Sequence, residues 1–557
     1  MVGVTVWPQK EYAVPELTAR VARRAFPKGA LAMRARDAFG EVYGDEAFSG
    51  LFSERGQRAV SPARLAWVTV LQFVEGLTDR QAADAVRGRI DWKYGLGLEL
   101  TDDGFDASVL CEFRQRLAGS GSAEGLLLEG LLRRLTELGL MPSTARQRSD
   151  ATEVAAAIRR LNRLELVVET MRAALEALAH LAPGWLVDGA PPEWWDRYEH
   201  RADDYRLPSS EAARTQYAEV VGRDGLVLLG EVYWGQGAPR WLREVPAVQV
   251  LRRVWVQQFY RVVDQGRETV VLRGKGEGPS TRTMIESPYD TDARYGAKRG
   301  HAWRGYKDYV TETCEAGQPN LITHVATAAA CEADTDMVEA IHTSLARADR
   351  LPGQHWVDSG FTSIGEVLRA RDDHGIELIG PLGTDNTWQA RQPGGYDQSQ
   401  FTIDWDNQQV ICPAGQTATG WSEGVSRNGL PIVSITFKDT ACRSCPDRDH
   451  CTKGTGPRHL TLRSDGAHQA LQKARAEQQS AQWRARYALR SGIESGFHQA
   501  SSRCDVHRAR YRGQPGTHLQ NVCIATAVNL IRADDWLHGT PIRGSKHTRL
   551  SKIRPPT

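Results

Sequence analysis

The sequence predicts a mixed α/β protein with a central sheet flanked by helices, and three observations carry that expectation. Between His301 and Pro381 the chain alternates: two β-forming runs (HAWRGYKDYVTET and LITHVAT), a helix over Asp336–Asp349, a short strand in QHWVDSGF, a helix over Ser363–Asp373 and a strand in IELIGP. Residues 1 to about 140 instead carry apolar residues at helical spacing. Residues 385–463 break both patterns, being rich in Gly, Thr, Gln and Asn, with short β-like pieces (QFTIDW, QQVICP, PIVSITF) and a cluster of cysteines.

Taken in order, Ser61-Pro62 is a helix start, an N-cap residue followed by Pro at the first helical position. Leu65, Val68, Leu71, Phe73 and Val74 follow at helical spacing, and Gly76 ends the helix. Asp79 is positioned to cap a second, short helix through Ala82, Ala83 and Val86, with Arg80, Arg87 and Arg89 on or near it. Two helices with basic residues on the second suit either a helix-turn-helix or an ordinary helical hairpin, and the spacing favours the hairpin. TARQRSD (144–150) is a candidate strand ending on Asp150. A long amphipathic helix is predicted over 152–182, with Val154, Ile158, Leu161, Leu164, Val168, Met171, Leu175 and Leu178 in steps of three and four. A Pro- and Trp-containing connector and a further helical region to about 265 follow. After the cysteine-bearing segment a long polar helix begins near Ser464–Asp465 and runs past Glu494. The expected organisation is a helical N-terminal DNA-binding or dimerisation domain (1–140) and a core of 141–384 plus 464–540. A helical insertion (about 153–285) and a β-rich insertion (385–463) interrupt that core, and a basic, disordered tail (541–557) follows it.

The 557 residues are 41% hydrophobic and 25% charged, which excludes a disordered or collagen-like chain. No apolar run approaches the roughly 20 residues of a membrane span, so no membrane partner is expected. The start MVGVTVWPQKEYAVPE lacks a basic stretch leading into an apolar core, so no signal peptide is expected and the cytoplasm is the default location. A net charge of +2 neither demands nor excludes nucleic acid. Its distribution says more: Arg503, Arg508, Arg510 and Arg512, then Arg543, Lys546, Arg549, Lys552 and Arg554 make the C-terminal stretch basic, as a polyanion partner would require. Nine cysteines, an odd number with four crowded together, fit a reducing compartment and one metal cluster better than a disulfide framework.

Asp150 and Asp358 fall at the ends of predicted strands. Neighbouring strands can bring such carboxylates together, and at neutral pH two of them repel unless a cation lies between. Hard oxygen donors select Mg²⁺ or Mn²⁺. A third carboxylate on a following helix would complete a site for two ions of the kind that drives in-line displacement at a phosphodiester. Glu494 is the third candidate: on an α-helix Tyr487, Arg490 and Glu494 share one face. Gly492 and Gly496 weaken that helix by about 1 kcal/mol each, which is tolerable where backbone must approach a sheet, metal ions or DNA. The bland alternative is that these are three ordinary solvated acids. Arg490 could hold a phosphate bidentately, and Arg503, Arg508, Arg510 and Arg512, interleaved with His507 and Tyr511, suit a DNA backbone; Lys298, Arg299 and Lys307 are weaker candidates. Asp290 and Asp292 read as loop residues ahead of the strands. Cys412, Cys442, Cys445 and Cys451 include a Cys-x₂-Cys pair of zinc type, with His450 as an alternative ligand; four thiolates would make a closed, structural Zn²⁺ site.

Several blocks resemble the DDE transposases of bacterial insertion sequences, in the branch typified by insertion sequence 1182: SPARLAWVTVLQFVEGLTDRQAADAVRGRIDWKYGLGLEL, RSDATEVAAAIRRLNRLELVVETMRAALEAL, SPYDTDARYGAKRGHAWRGYKDYVTET, WVDSGFTS, and RSGIESGFHQASSRCDVHRARYRGQPGTHLQNVCIATAVNLIR. The resemblance implies a ribonuclease H-like catalytic core, a catalytic triad of Asp150, Asp358 and Glu494 holding two Mg²⁺ (or Mn²⁺) ions, and double-stranded DNA as partner, both as terminal inverted repeats and as target. It further implies a homodimer or higher assembly on DNA, at the nucleoid. Related transposases carry Tyr-x₂-Arg-x₃-Glu-x₆-Lys on the Glu helix. Tyr487, Arg490 and Glu494 match that motif, and Ser501 departs from it at the Lys that holds a DNA phosphate, with Arg503 nearby as a substitute. The activity implied is cleavage at the element's ends and transfer of the 3′-OH to target DNA. A nuclease without strand transfer, or a non-catalytic DNA-binding regulator, are the alternatives.

Overall fold

The computed structural model describes residues 4–540 other than 10, 11, 122, 265, 266, 275, 427 and 428; the predicted tail, 541–557, lies outside the described residues. The central sheet has six strands: β1 (Arg146–Ala155), β2 (Arg294–Lys298), β3 (His301–Thr313), β4 (Ile322–Ala329), β5 (Gln354–Trp356) and β6 (Glu377–Ile379). The order runs β6-β5-β1-β3, with β4 and β2 sharing the outer edge of β3. β3 is antiparallel to β1 and β4, whereas β5 and β6 run parallel to β1. The antiparallel hairpin needs only a short connection and the parallel strands need crossovers. Those crossovers are the helices between β4 and β5 (Val338–Arg347) and between β5 and β6 (Ile364–His374). This is the mixed sheet of a ribonuclease H-like core.

Register explains one departure from expectation. The helix predicted from 152 begins at Arg163, because β1 continues to Ala155 and pairs residue by residue with β3, with Val154 opposite Tyr306. Val154 is fully buried in that ladder, and a residue that reads as the first turn of an amphipathic helix is a core strand position. The helix starts where Asn162 caps it: its side chain accepts from Glu165 N–H while Glu165 accepts from Asn162 N–H, a reciprocal pair. The insertion then packs three helices (Arg163–Leu181, Glu211–Trp234, Pro246–Gln258) around its own core of Val167, Met171, Val221, Leu228, Leu251 and Trp255. Its end is not helical to 265 but a hairpin of Phe259–Asp264 and Arg267–Leu272.

The N-terminal helices do not enclose their main core alone. Leu65, Val68, Leu71 and Phe73 of the helix Pro62–Glu75 share one apolar cluster with Val310 and Val325 of the sheet and with Leu519, Val522, Val528 and Ile531 of the last helix, Gln514–Leu537. The second short helix, Asp79–Gly88, is capped by Thr78 in a capping box with Gln81 rather than by Asp79, which accepts from Gln72 and Arg114. Arg89 is paired with Glu75 and Asp91, and Arg87 holds the Asp103 carbonyl. Two of the basic residues on this helix pair are thus held within the fold.

The β-rich insertion holds a three-stranded antiparallel sheet (Gly420–Val425, Pro431–Thr436, His459–Arg463) over a small core of Phe401, Val410, Val433, Ile435, Phe437, Leu460 and Leu462. The polar helix expected to run unbroken past Glu494 is in fact broken: Asp465–Glu477, Ala481–Tyr487, a 3₁₀ turn Ala488–Gly492, then Ile493–Cys504. Ser480 starts a new helix as its N-cap, and the chain must turn to lie against the sheet.

Candidate active site

Asp150 lies in the middle of β1, Asp358 two residues beyond β5, and Glu494 in the first turn of the helix Ile493–Cys504. All three converge on one guanidinium. Arg490 Nη2 donates to Asp150 Oδ2 and lies 4.0 Å from Asp358 Oδ2, while its Nη1 donates to Glu494 Oε1 at 3.1 Å. The Asp150 and Asp358 side chains are 11% and 18% exposed, and Glu494 is 67% exposed. Asp150 Oδ1 also accepts from Ala151 N–H at 2.8 Å, and Asp358 Oδ1 from Gly360 N–H at 2.6 Å. Gly360 has no room for a side chain: a Cβ there would meet Asp334 Oδ2 at 2.8 Å and Asp358 Oδ1 at 2.9 Å.

Burial pushes the Asp150 carboxyl up to about 6; Arg490 and the Ala151 amide pull it down, Asp358 adds to the rise, and Lys298 pulls down. A buried carboxylate that even an arginine leaves partly uncompensated is a place where a further cation is favourable. The donor set, three carboxylates facing one another, is chemically that of a Mg²⁺ or Mn²⁺ site, with Arg490 standing where positive charge is needed. As the side chains lie, no three or more His, Cys, Asp or Glu among the described residues are grouped to hold a metal ion.

A second polar layer, which no sequence motif signalled, supports the site. Arg148, two residues before Asp150, donates from Nε and Nη2 to Glu312 Oε1 (2.8 and 2.6 Å) and from Nη1 to the Leu489 carbonyl (2.7 Å), one residue before Arg490. Arg532 of the last helix donates to Glu312 Oε2 at 2.7 Å. Arg148 and Glu312 are buried, and the pair is satisfied on both sides. The two glycines now have a reason. A Cβ at Gly492 would meet the Arg148 guanidinium at 2.1 Å, and one at Gly496 would meet Arg532 Nη2 at 2.6 Å. What they approach is the sheet and the last helix. Asp308, across β3, is another buried carboxyl, pushed up to about 8 by burial, with Oδ1 unpartnered.

The residues expected to meet DNA divide into two groups. Tyr487 is half-buried: its hydroxyl donates to the Val357 carbonyl at 3.3 Å and its ring stacks on Trp483, so it docks its helix beside Asp358. Arg510 holds the Leu77 carbonyl at 3.1 Å and lies over the Phe73 ring, Tyr511 lies under Arg114, and His507 contacts Thr152 and the Glu153 carbonyl. These three fasten the chain to β1 and the N-terminal helices. Arg503 and Arg508 are exposed, as is Arg512, which lies over Tyr289. Lys307 is paired with Asp334 at 2.8 Å, whereas Lys298 and Arg299 stand exposed at the tip of the β2-β3 ribbon. Ser501, at the usual Lys position, is half-buried in the Glu494 helix. Asp290 and Asp292 accept from Gly513 and Gln514 N–H and so cap the last helix, as befits the loop residues they were expected to be. Cys412, Cys442, Cys445 and Cys451 line one cavity, and all four are free thiols.

The fold is that of a ribonuclease H-like core, and three carboxylates gather at one place on it. Residues 411–533 match the family described as Transposase DDE domain, and residues 23–116 match Transposase domain (DUF772). Both matched models describe transposase families, and together they match a DDE transposase of an insertion sequence. The first match spans Glu494 and the four clustered cysteines, and the second spans the helical hairpin; Asp150 and Asp358 lie outside both. No curated protein matches the chain. Among the described residues, no helix is long and apolar enough to cross a membrane.

Proposed function

We propose that the protein binds the ends of its insertion sequence, of the 1182-like branch, cleaves the DNA there and transfers the 3′-OH end to target DNA. The observation that carries this reading is the convergence of Asp150, Asp358 and Glu494, from three separate stretches of chain, on Arg490. Asp150, Asp358 and Glu494 would hold two Mg²⁺ or Mn²⁺ ions, which supply Lewis acidity at the scissile phosphate when bound. Asp150 and Asp358 are oriented by the sheet and by backbone amides, and Glu494 joins them from the helix. Arg490, relieved of its carboxylates, presents a planar fork to a phosphate oxygen. In the first step water attacks phosphorus and the bond to the 3′ oxygen breaks, leaving a 3′-OH and a 5′-phosphate. In the second step that hydroxyl attacks a target phosphodiester and displaces the target's own 3′ oxygen. Arg503, Arg508 and Arg512, with Lys298 and Arg299 on the ribbon, supply backbone contacts on either side. Synapsis of two ends requires a dimer or higher assembly on DNA.

The test is a cleavage and joining assay on a duplex carrying the element's ends, with Mg²⁺, comparing wild type and Glu494→Gln. Nicking at the ends and joined product in the wild type, both lost in the variant, are expected. Unchanged cleavage by Glu494→Gln would sink the site assignment. Cutting without joining would favour a nuclease, and binding without cutting a regulator.

A further inference from the structure

We infer that Cys412, Cys442, Cys445 and Cys451 form a closed structural Zn²⁺ site that holds the β-rich insertion together. Cys412 lies well before the neighbouring Cys442, Cys445 and Cys451 in sequence, yet all four line a single cavity of about 30 Å³ together with Tyr396, Phe437 and Arg448. That volume suits one small ion rather than an organic ligand. His450, the alternative ligand, is not part of the lining; its ring lies by Tyr396 and its carbonyl accepts from Tyr396 N–H.

The backbone around Cys412 is already shaped for a thiolate. Gly415 N–H donates to the Cys412 carbonyl at 2.8 Å, with Gly415 at φ +76°, and Gln416 N–H points at Cys412 Sγ at 3.3 Å. An amide aimed at sulfur stabilises its charged form. Cys442 and Cys445 bracket a tight turn, with Cys445 N–H on the Cys442 carbonyl, and Arg448 donates to the same carbonyl at 2.8 Å. Four sulfurs around one cavity are the donor set of a closed, structural Zn²⁺ site.

The energetics point the same way. Seven buried apolar residues hold the three-stranded sheet, a core too small to order a segment of this length unaided. A thiolate-bound ion supplies the missing free energy because it binds only the folded arrangement. The sulfurs are not at coordination distance as the side chains lie. A cysteine has a single rotor, so closing on an ion asks for χ1 changes within this cavity and not for a new backbone. The site leaves no open position, so its zinc takes no part in phosphoryl transfer, and the inference stands apart from the proposed function.

The test is the metal content of the full chain, purified without chelator, by inductively coupled plasma mass spectrometry. About one Zn²⁺ per chain is expected. Cys445→Ser should lose it, and Cys111→Ser, at an exposed cysteine outside the cavity, should keep it. Should Cys445→Ser fail to fold, stepwise mercurial titration of the wild type with a zinc-sensitive dye reads the same point: zinc should leave as these thiols react. Zinc removal should also make the 385–463 segment the first site of limited proteolysis. Metal-free protein with its thiols freely reactive, a disulfide within the cluster, or zinc retained by Cys445→Ser would each overturn the inference.

Discussion

The two halves of the candidate site are built differently. Asp150 and Asp358 are embedded in the sheet, where strand pairing and backbone amides set their directions. Glu494 stands largely in solvent on a helix turn, tied to the others through Arg490. The sheet half is set by the same free energy that folds the core. The helix half is set by a handful of polar contacts: Arg148 on the Leu489 carbonyl, Tyr487 on the Val357 carbonyl, and Trp356 Nε1 on the Arg486 carbonyl at 3.1 Å. A carboxylate carried on a separately anchored helix is less constrained than two that strand pairing and backbone amides hold.

That contrast can be broken at several points. The largest effect is expected from Asp150→Asn, Asp358→Asn or Glu494→Gln. Each should lower cleavage at least about 100-fold, beyond the 10- to 100-fold typical of losing an outer partner, and leave DNA binding by gel shift largely intact. The halves should differ in a second readout: Glu494→Gln should leave the melting temperature nearly unchanged, whereas Asp150→Asn should shift it, because only Asp150 is buried against Arg490. Next comes Arg148→Met, which leaves Glu312 with half its partners and frees the Leu489 carbonyl. It should cost about 3–5 kcal/mol in urea unfolding and reduce activity as well.

Acidification sharpens the contrast from the sheet side. His342 and His324 are pulled down to about 4 by burial, and His355 well below its ordinary value. His355 and His342 form a chain behind the site, Ser149 Oγ to His355 at 2.7 Å and His355 to His342 at 2.9 Å. Between pH 6.5 and about 4 the unfolded chain binds protons that the folded chain refuses. Stability should therefore fall with pH across that window, by about 3 kcal/mol or less per imidazole, as read by chemical denaturation at each pH. Asp308 acts in the opposite sense. Its stabilising contribution is lost progressively as pH rises from the ordinary carboxyl range through about 8, so it partly offsets the histidine gain below pH 6.5 and leaves stability falling between there and about 8.

A smaller effect is expected at Gly492→Ala. Helix propensity favours the change by about 1 kcal/mol, and the clash with a guanidinium already held by Glu312 opposes it by about 1–3 kcal/mol. Activity should fall more than stability, because the helix half lifts from the sheet. The smallest is Arg510→Ala, which loses a carbonyl bond and a ring contact worth about 1–2 kcal/mol together. Its DNA affinity should stay near wild type, unlike that of Arg503→Ala.

Local signals made much of this readable. His301–Thr313 is a strand end to end as its β-formers imply, Ser363 caps the helix that follows Asp358, and Gly76 closes its helix in a left-handed turn. Where local pattern and pairing conflicted, pairing prevailed: Val154 satisfies helical periodicity and β alternation alike, and the ladder to β3 outweighs a helix that would have to begin without a cap. The unbroken helix through Tyr487, Arg490 and Glu494 failed for a related reason, since a continuous rod could not both pack on Trp356 and bring Glu494 back over β1. Among the basic residues, charge was visible in the sequence and destination was not. Arg510 and Lys307 are bound within the fold, and Arg503 and Arg508 face solvent.

By itself, then, the sequence determined most of the elements and offered Asp150, Asp358 and Glu494 as candidates, because propensity, capping and spacing act over a few residues. Tertiary structure alone decided that these carboxylates meet at Arg490 and that Arg148, Glu312 and Arg532 lie beneath them. It alone decided that Gly492 and Gly496 make room for that layer. Such contacts join residues hundreds of positions apart, and their energies depend on burial and geometry that exist only once the sheet has closed.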